Sequence, residues 1–246
     1  MGNLIEKVAF VNVECTYNEN VKHLQFIERE EYCFSSVSQY KVPIRHLHVN
    51  DDYKTILMCH GNAEDIGYNN LETLSEQFNV NVCVFDYSGY GLHTCKISSE
   101  DNCKKDVIAV YDYLINTKNI NPNKIVIYGR SLGTGLACFL AYYIRNDKDQ
   151  PQKLILISPL MSAVKIVTNS WVPIDKFMNY KLAPKINCST LILHGNKDKI
   201  VPYECGYELS TGFRNLYKFY TLDGSGHNNI DTHDYYKEIN EFLNYE

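Results

Sequence analysis

From residue 54 onward, short apolar runs alternate with stretches of helical periodicity. The runs cover residues 55–59, 80–85, 124–128, 154–157, 190–193 and 217–222. Val, Ile and Leu dominate them, the composition of strands buried on both faces. Strands alternating with helices predict an α/β fold: a mostly parallel central sheet with helices on both faces. Between the runs lie helix start signals. Asp65 predicts the N-cap of a helix reaching about Phe78. Ser98 and Ser99 precede Glu100 and Asp101, acids placed where a helix dipole favours them, and a periodic run continues to Leu114. Asn121-Pro122-Asn123 breaks the chain before the next strand, and residues 134–144 can form a helix. Before residue 50 the pattern differs: residues 8–11, 25–27 and 42–49 read as antiparallel strands leading into the parallel set. The rhythm is interrupted at 161–189, a stretch holding Trp171, Phe177, Met178 and Tyr180. A small cap or lid beside the site is the expectation there, a longer crossover the alternative.

Length and charge narrow the picture. The 246 residues fit one domain, 1–246, long enough to bury a large core. A net charge of −5 without any Lys/Arg run excludes the basic stripe of a nucleic-acid partner. The nine cysteines are scattered, with no CxxC pair and no Cys/His spacing of a metal site. They read as reduced thiols in a cytoplasmic protein. No secretory signal stands at the start, and no apolar run approaches the roughly 20 residues that span a bilayer. Gly2 offers a partial myristoylation match, with Glu6 where that motif prefers Ser or Thr. One such chain would give only weak peripheral association at the cytoplasmic face of a membrane.

Gly129-Arg130-Ser131-Leu132-Gly133 matches G-x-S-x-G, lies directly after an apolar strand and is followed by a helix. A strand–turn–helix elbow would lift Ser131 Oγ above the sheet, with the helix N-terminus pointing its positive end at a developing oxyanion. A serine hydroxyl needs an adjacent base. Among eight histidines, His227 in Gly224-Ser225-Gly226-His227-Asn228 sits just beyond the last strand, on a loop small enough to reach over the sheet edge. His233 is the main rival, but begins the final helix; His23, His46, His48 and His93 lack a strand-end setting. The orienting carboxylate falls to Asp198, after the strand at 191–193, which gives the chain order Ser, Asp, His. Asp223 and Asp231 are too near His227 in sequence, and Asp86 precedes Ser131, so it reads as structural. For the oxyanion, the Leu132 N–H is the expected first donor and the Asn62 N–H of His60-Gly61-Asn62-Ala63 the second, with Ala63 its neighbouring alternative. His60 is expected to hold that loop rather than to act as a base.

Together, His60-Gly61-Asn62-Ala63, Phe85-Asp86-Tyr87-Ser88-Gly89-Tyr90-Gly91, the elbow, His194-Gly195 with Asp198, and Gly226-His227-Asn228 resemble one subgroup of the α/β-hydrolase superfamily. That subgroup includes membrane-associated protein depalmitoylases, and the resemblance spans about residues 40–243. It implies the α/β-hydrolase fold, a Ser131–Asp198–His227 triad, and hydrolysis of an acyl ester or thioester, with an acylated protein among the candidate substrates and no metal or organic cofactor. The chain departs from animal members at its N-terminus, where they carry an acylated cysteine cluster and it has Cys15 alone. Two other readings stay open: a serine peptidase of the same fold, and a non-catalytic scaffold that binds a ligand or partner.

Overall fold

A computed structural model describes residues 10–11, 14–33, 36–148, 150–166, 175–230 and 232–245. Among them, eight strands form one sheet: β1 (Leu24–Cys33), β2 (Ser36–Leu47), β3 (Lys54–Cys59), β4 (Val80–Phe85), β5 (Ile125–Arg130), β6 (Lys153–Ile157), β7 (Ser189–Gly195) and β8 (Leu216–Leu222). Their order is β1-β2-β4-β3-β5-β6-β7-β8. The β1–β2 and β2–β4 pairings are antiparallel and every later pairing is parallel. The helices are α1 (Leu71–Phe78), α2 (Glu100–Asp112), α3 (Gly133–Tyr143), the single turn α4 (Asn179–Leu182), α5 (Tyr203–Ser210) and α6 (Thr232–Asn244). No helix among the described residues is long and apolar enough to cross a membrane.

The core follows from the period of the central strands. Alternate residues of a strand face opposite sides of its sheet. In β5, Ile125 and Ile127 join one buried cluster with Val107 of α2 and Leu136 and Leu140 of α3. Val126 and Tyr128 join the other, with Leu71 and Phe78 of α1 and Ile239 and Phe242 of α6. Both faces are therefore covered, which is why the central strands carry successive apolar residues, as in Ile125 to Tyr128 and Leu154 to Ile157, rather than one at every second position. Each fully buried Ile or Leu contributes about 1.5–3 kcal/mol relative to exposure. Cys59, Cys83 and Cys138 are free thiols packed into this core, where burial raises their pKa.

Three local expectations change. Phe10 and Val11 are not in a strand; of that expected strand, Val8 and Ala9 lie outside the described residues, as do Gly2 and Trp171. Asp65 does cap, but only a short 3-10 turn over Ile66–Tyr68, and a second cap, Asn70, starts α1. The reason lies in Arg45, whose Nη1 takes the carbonyls of Ile66 at 2.9 Å and Asn69 at 2.7 Å. Those carbonyls are thereby drawn out of a continuous helical ladder. The strand at 25–27 extends to Cys33 through Glu28-Arg29-Glu30-Glu31, because an edge strand exposes much of its surface and tolerates charge.

Of the 161–189 stretch, residues 167–174 lie outside the described set. The rest folds back onto the core: the Ala163 N–H donates to the Lys176 carbonyl at 2.8 Å and the Tyr180 N–H to that of Met161 at 3.2 Å. Phe177 is 2% exposed and sits in the core cluster of α3.

Candidate active site

The sheet order places a crevice at its centre. From β3 the chain moves to β4 on one side, whereas β5 pairs on the other side of β3. Loops leaving β3 and β5 diverge, and such a switch point is where ligand crevices form in open α/β sheets. Ser131 follows β5 and the loop of Gly61 and Asn62 follows β3. The two come close because a methyl group at Gly133, the first residue of α3, would run into the carbonyl of Cys59. Helix α3 thus starts directly against the end of β3, and only glycine fits there.

Ser131 has a φ of +50°, in the left-handed region. For a non-glycine residue this costs about 1–3 kcal/mol and persists only where the surroundings over-determine it. Here they do. The Ser131 N–H donates to the Ile157 carbonyl at 3.0 Å, and the Ser131 carbonyl accepts from the Thr134 N–H at 3.0 Å and from Thr134 Oγ1 at 2.6 Å.

Three of the residues expected from sequence meet above this turn. His227 Nε2 lies 2.9 Å from Ser131 Oγ, across 96 positions of chain, and His227 Nδ1 lies 2.7 Å from Asp198 Oδ2. The second Asp198 oxygen accepts the N–H groups of Ile200 and Val201, both at 2.9 Å. Burial alone would raise the Asp198 carboxyl; hydrogen bonds from His194, His227 and Val201 outweigh it and hold the group well below the usual carboxylate range. An ionised Asp198 accepting at Nδ1 leaves Nε2 as the imidazole's basic atom, aimed at the hydroxyl. Such an arrangement can take the serine proton as the oxygen attacks and return it to a leaving group.

Leu132, immediately after Ser131, precedes the first turn of α3, where main-chain N–H groups lack intrahelical partners. Across the crevice, Asn62 Oδ1 gathers the N–H of Ala63 at 3.0 Å, the Tyr90 hydroxyl at 2.6 Å and the N–H of Val11 at 3.1 Å. The Ala63 N–H is thus engaged by the Asn62 side chain. His60 is fully buried, stacked on Tyr87 at 4.1 Å, with Nδ1 2.8 Å from the Gly61 carbonyl. Burial pushes its pKa down. It braces the loop and does not reach Ser131 by any hydrogen bond among those described.

The rival residues sit elsewhere. His233 stands exposed on α6. His93 is sealed in a network with Asp106 at 3.2 Å, which also receives the Arg29 guanidinium at 2.8 Å and the Ser88 hydroxyl at 2.7 Å. His48 and His23 pair with Asp51 and Glu72. Asp223 accepts from Asn196 at 2.8 Å on the surface; Asp231 lies outside the described residues. Asp86 accepts from the Tyr17 hydroxyl and, at 3.0 Å, from the Ile66 N–H.

Two contributors had no role assigned from sequence, although His194 belongs to the motifs that carry the resemblance. His194 lies 3.4 Å from Asp198 and donates from Nε2 to the Val201 carbonyl at 3.0 Å, so it shapes the turn that presents Asp198. Its spacing of four residues before Asp198 was the available signal. The N-terminal segment is the other. Thr16 is tied to Asp65 by its N–H at 2.6 Å and its hydroxyl at 2.5 Å, and Phe10 meets the rings of Tyr90 and Phe177 edge-on at 6.4 and 5.8 Å. Nothing in its pattern marked this segment as a strap over the loop after β3, because it acts through single side chains.

Comparison with known proteins agrees with this architecture. A family described as serine aminopeptidase, S33, matches residues 50–182. An α/β-hydrolase domain-containing protein, aho-3, of Caenorhabditis elegans is 32% identical over 199 residues, covering 78% of this chain and 58% of that protein. A putative α/β hydrolase, L404, of Acanthamoeba polyphaga mimivirus is 31% identical, covering 78% of this chain and 73% of that one. Among solved structures, α/β-hydrolase domain-containing protein 10 from mouse superposes with a TM-score of 0.66 at 16% identity, covering 89% of this chain and 98% of that one. The chain thus spans a little under three fifths to nearly three quarters of the curated relatives named here.

Proposed function

Because this chain belongs to the α/β-hydrolase superfamily, in the subgroup of α/β-hydrolase domain-containing proteins, we propose that it is a serine hydrolase that cleaves acyl esters or thioesters. The observation that carries this reading is the unbroken hydrogen-bond chain from Ser131 Oγ through His227 to Asp198. Ser131 Oγ attacks the acyl carbonyl while its proton passes to His227 Nε2. The tetrahedral oxyanion is held by the N–H groups of Leu132 and Asn62, and Asp198 stabilises the imidazolium. His227 then protonates the departing alcohol or thiol, leaving an acyl-Ser131 ester. A water, deprotonated by His227, attacks that ester and releases the acid. No metal or organic cofactor enters these steps.

The substrate side of this reading extends to long-chain acyl thioesters on proteins, the class suggested by the sequence resemblance. A cytoplasmic setting fits the buried free thiols, and a myristoyl group at Gly2 would give weak attachment to a membrane's cytoplasmic face. A serine peptidase of the same fold is the second reading, favoured by the aminopeptidase description of the matching family. Turnover of p-nitrophenyl and thioester substrates of increasing chain length, beside aminoacyl amides, separates the two. In the same assay Ser131→Ala is expected to lower kcat by about 10⁶-fold, with loss of fluorophosphonate labelling. Retention of most activity by that variant would sink the assignment.

A further inference from the structure

Arg130 fills the variable position directly before Ser131, and its side chain leaves the elbow to meet two other loops. Its Nη1 pairs with Glu64 Oε1. Its Nη2 donates to the carbonyl oxygen of His227 at 3.1 Å and to Asn228 Oδ1 at 3.0 Å. Glu64 in turn accepts the Gly61 N–H through Oε2 at 3.1 Å. One continuous set of bonds therefore links the loop after β3, the elbow after β5 and the loop after β8. Gly61 makes room for it: a methyl there would sit 3.0 Å from both Arg130 Nη1 and Glu64 Oε1. The pair is nested against the main chain of the loop that holds Asn62.

We propose that Arg130 is a positioning residue, which sets the His227 imidazole and the Asn62 loop in register with Ser131, holding the His227 carbonyl directly and the Gly61 N–H through Glu64. The proposal rests on the hydrolase reading above. Three loops from three strands have to agree in position, and a displacement of about 1 Å in such an arrangement can cost about a hundredfold in rate. A guanidinium suits the task because its planar fork holds several acceptors at fixed angles, which an ammonium cannot. The Arg130 and Glu64 side chains are 22% and 26% exposed, so water reaches the pair and screens part of what it adds to folding. Reading kcat beside the thermal midpoint tells a loss of positioning from a loss of stability.

The test compares the wild-type chain with Arg130→Ala, Arg130→Lys, Glu64→Gln and Ser131→Ala, using a p-nitrophenyl acyl ester. Arg130→Ala is expected to lower kcat by about tenfold to a hundredfold with KM little changed and the thermal midpoint nearly unmoved. Guanidinium chloride at low millimolar concentration restores part of the kcat of Arg130→Ala and none of that of Ser131→Ala, whereas Arg130→Lys stays low. Glu64→Gln, which preserves volume, shows a drop in the same direction and keeps the proposal testable if Arg130→Ala fails to fold. Wild-type kcat in Arg130→Ala, or in Glu64→Gln, overturns it, as does a loss that guanidinium leaves untouched and that follows the thermal midpoint. Fluorophosphonate labelling separates the two levels. An unlabelled wild-type Ser131 defeats the hydrolase reading itself, while equally fast labelling of wild type and Arg130→Ala defeats only the role given to Arg130.

Discussion

Asp198 carries three loads at once: it accepts two main-chain N–H groups through one oxygen, receives the His227 ring through the other, and packs beside His194. Replacing it with asparagine keeps the size but offers an N–H to His227 Nδ1 or forces the amide to turn away from the loop. The first outcome favours the imidazole tautomer whose proton faces Ser131, and the second strands the N–H groups of Ile200 and Val201. Asp198→Asn is accordingly expected to reduce kcat by about 10⁴-fold, the size of effect seen when the orienting acid of such a triad is replaced this way. Steady-state kinetics with a short acyl ester, read beside circular dichroism of the variant, checks it. A loss of less than about tenfold would mean that His227 is oriented by something else.

The elbow depends on contacts between β3, β5 and α3, and Gly133 is where those elements touch. Gly133→Ala places a methyl group against the Cys59 carbonyl, so α3 has to retreat from β3. The expected penalty is about 1–3 kcal/mol, typical of overpacking, together with a fall in kcat, because the retreat moves Leu132 relative to the Asn62 loop. Urea denaturation gives the first quantity and ester turnover the second; an unchanged midpoint would show that the helix start is less tightly held than its packing indicates.

The central elements were legible because their signal is periodic. Residues 56–59 and 125–128 are apolar throughout since helices cover both faces, and the loop after the second run carries the glycine and serine pattern of the elbow. Ser131, Asp198 and His227 could be placed in order because each follows a strand that reads clearly. What stayed hidden depends on single side chains acting across the fold. Arg45 ends the turn at Ile66–Tyr68 through two carbonyls, and no periodicity encodes that. The extension of β1 through four charged residues contradicts the apolar rule because edge strands need not obey it. Arg130 and Glu64 lie in three-dimensional contact with a separation of 66 residues, which spacing arguments do not reach.

For the molecule as a whole, Asp86 is one group through which pH acts, opposed by the buried His46 and His60, whose values burial lowers. Burial pushes its carboxyl up to about 7, against the lowering effect of the Tyr17 and Ile66 hydrogen bonds. Its unfolded value is near 3.9, so between about 4 and 7 the folded chain binds more protons than the unfolded one. Its contribution to stability is therefore fully present below about 4, declines as pH rises to about 7 and then levels off. Asp86→Asn is expected to flatten that part of the stability profile, measured by urea unfolding at stepped pH. An identical slope in the two proteins would show that Asp86 does not titrate in this window. Asp86 faces the hydroxyl of Tyr17 and lies 3.6 Å from His60, so the same titration bears on the strap and on the loop beneath it.

The 96-residue separation between Ser131 and His227 has a consequence for how activity arises. The partner of Ser131 belongs to the loop after β8, which pairs at the edge of the sheet and comes late in the chain. During synthesis, the elbow strand and its helix leave the ribosome well before the histidine does. On the proposed hydrolase reading, a growing chain carries a serine whose base has yet to emerge. Recovery of ester turnover after denaturation is then expected to follow the docking of the last strand, the closing of the longest-range contacts, whose loop-closure entropy makes them slow.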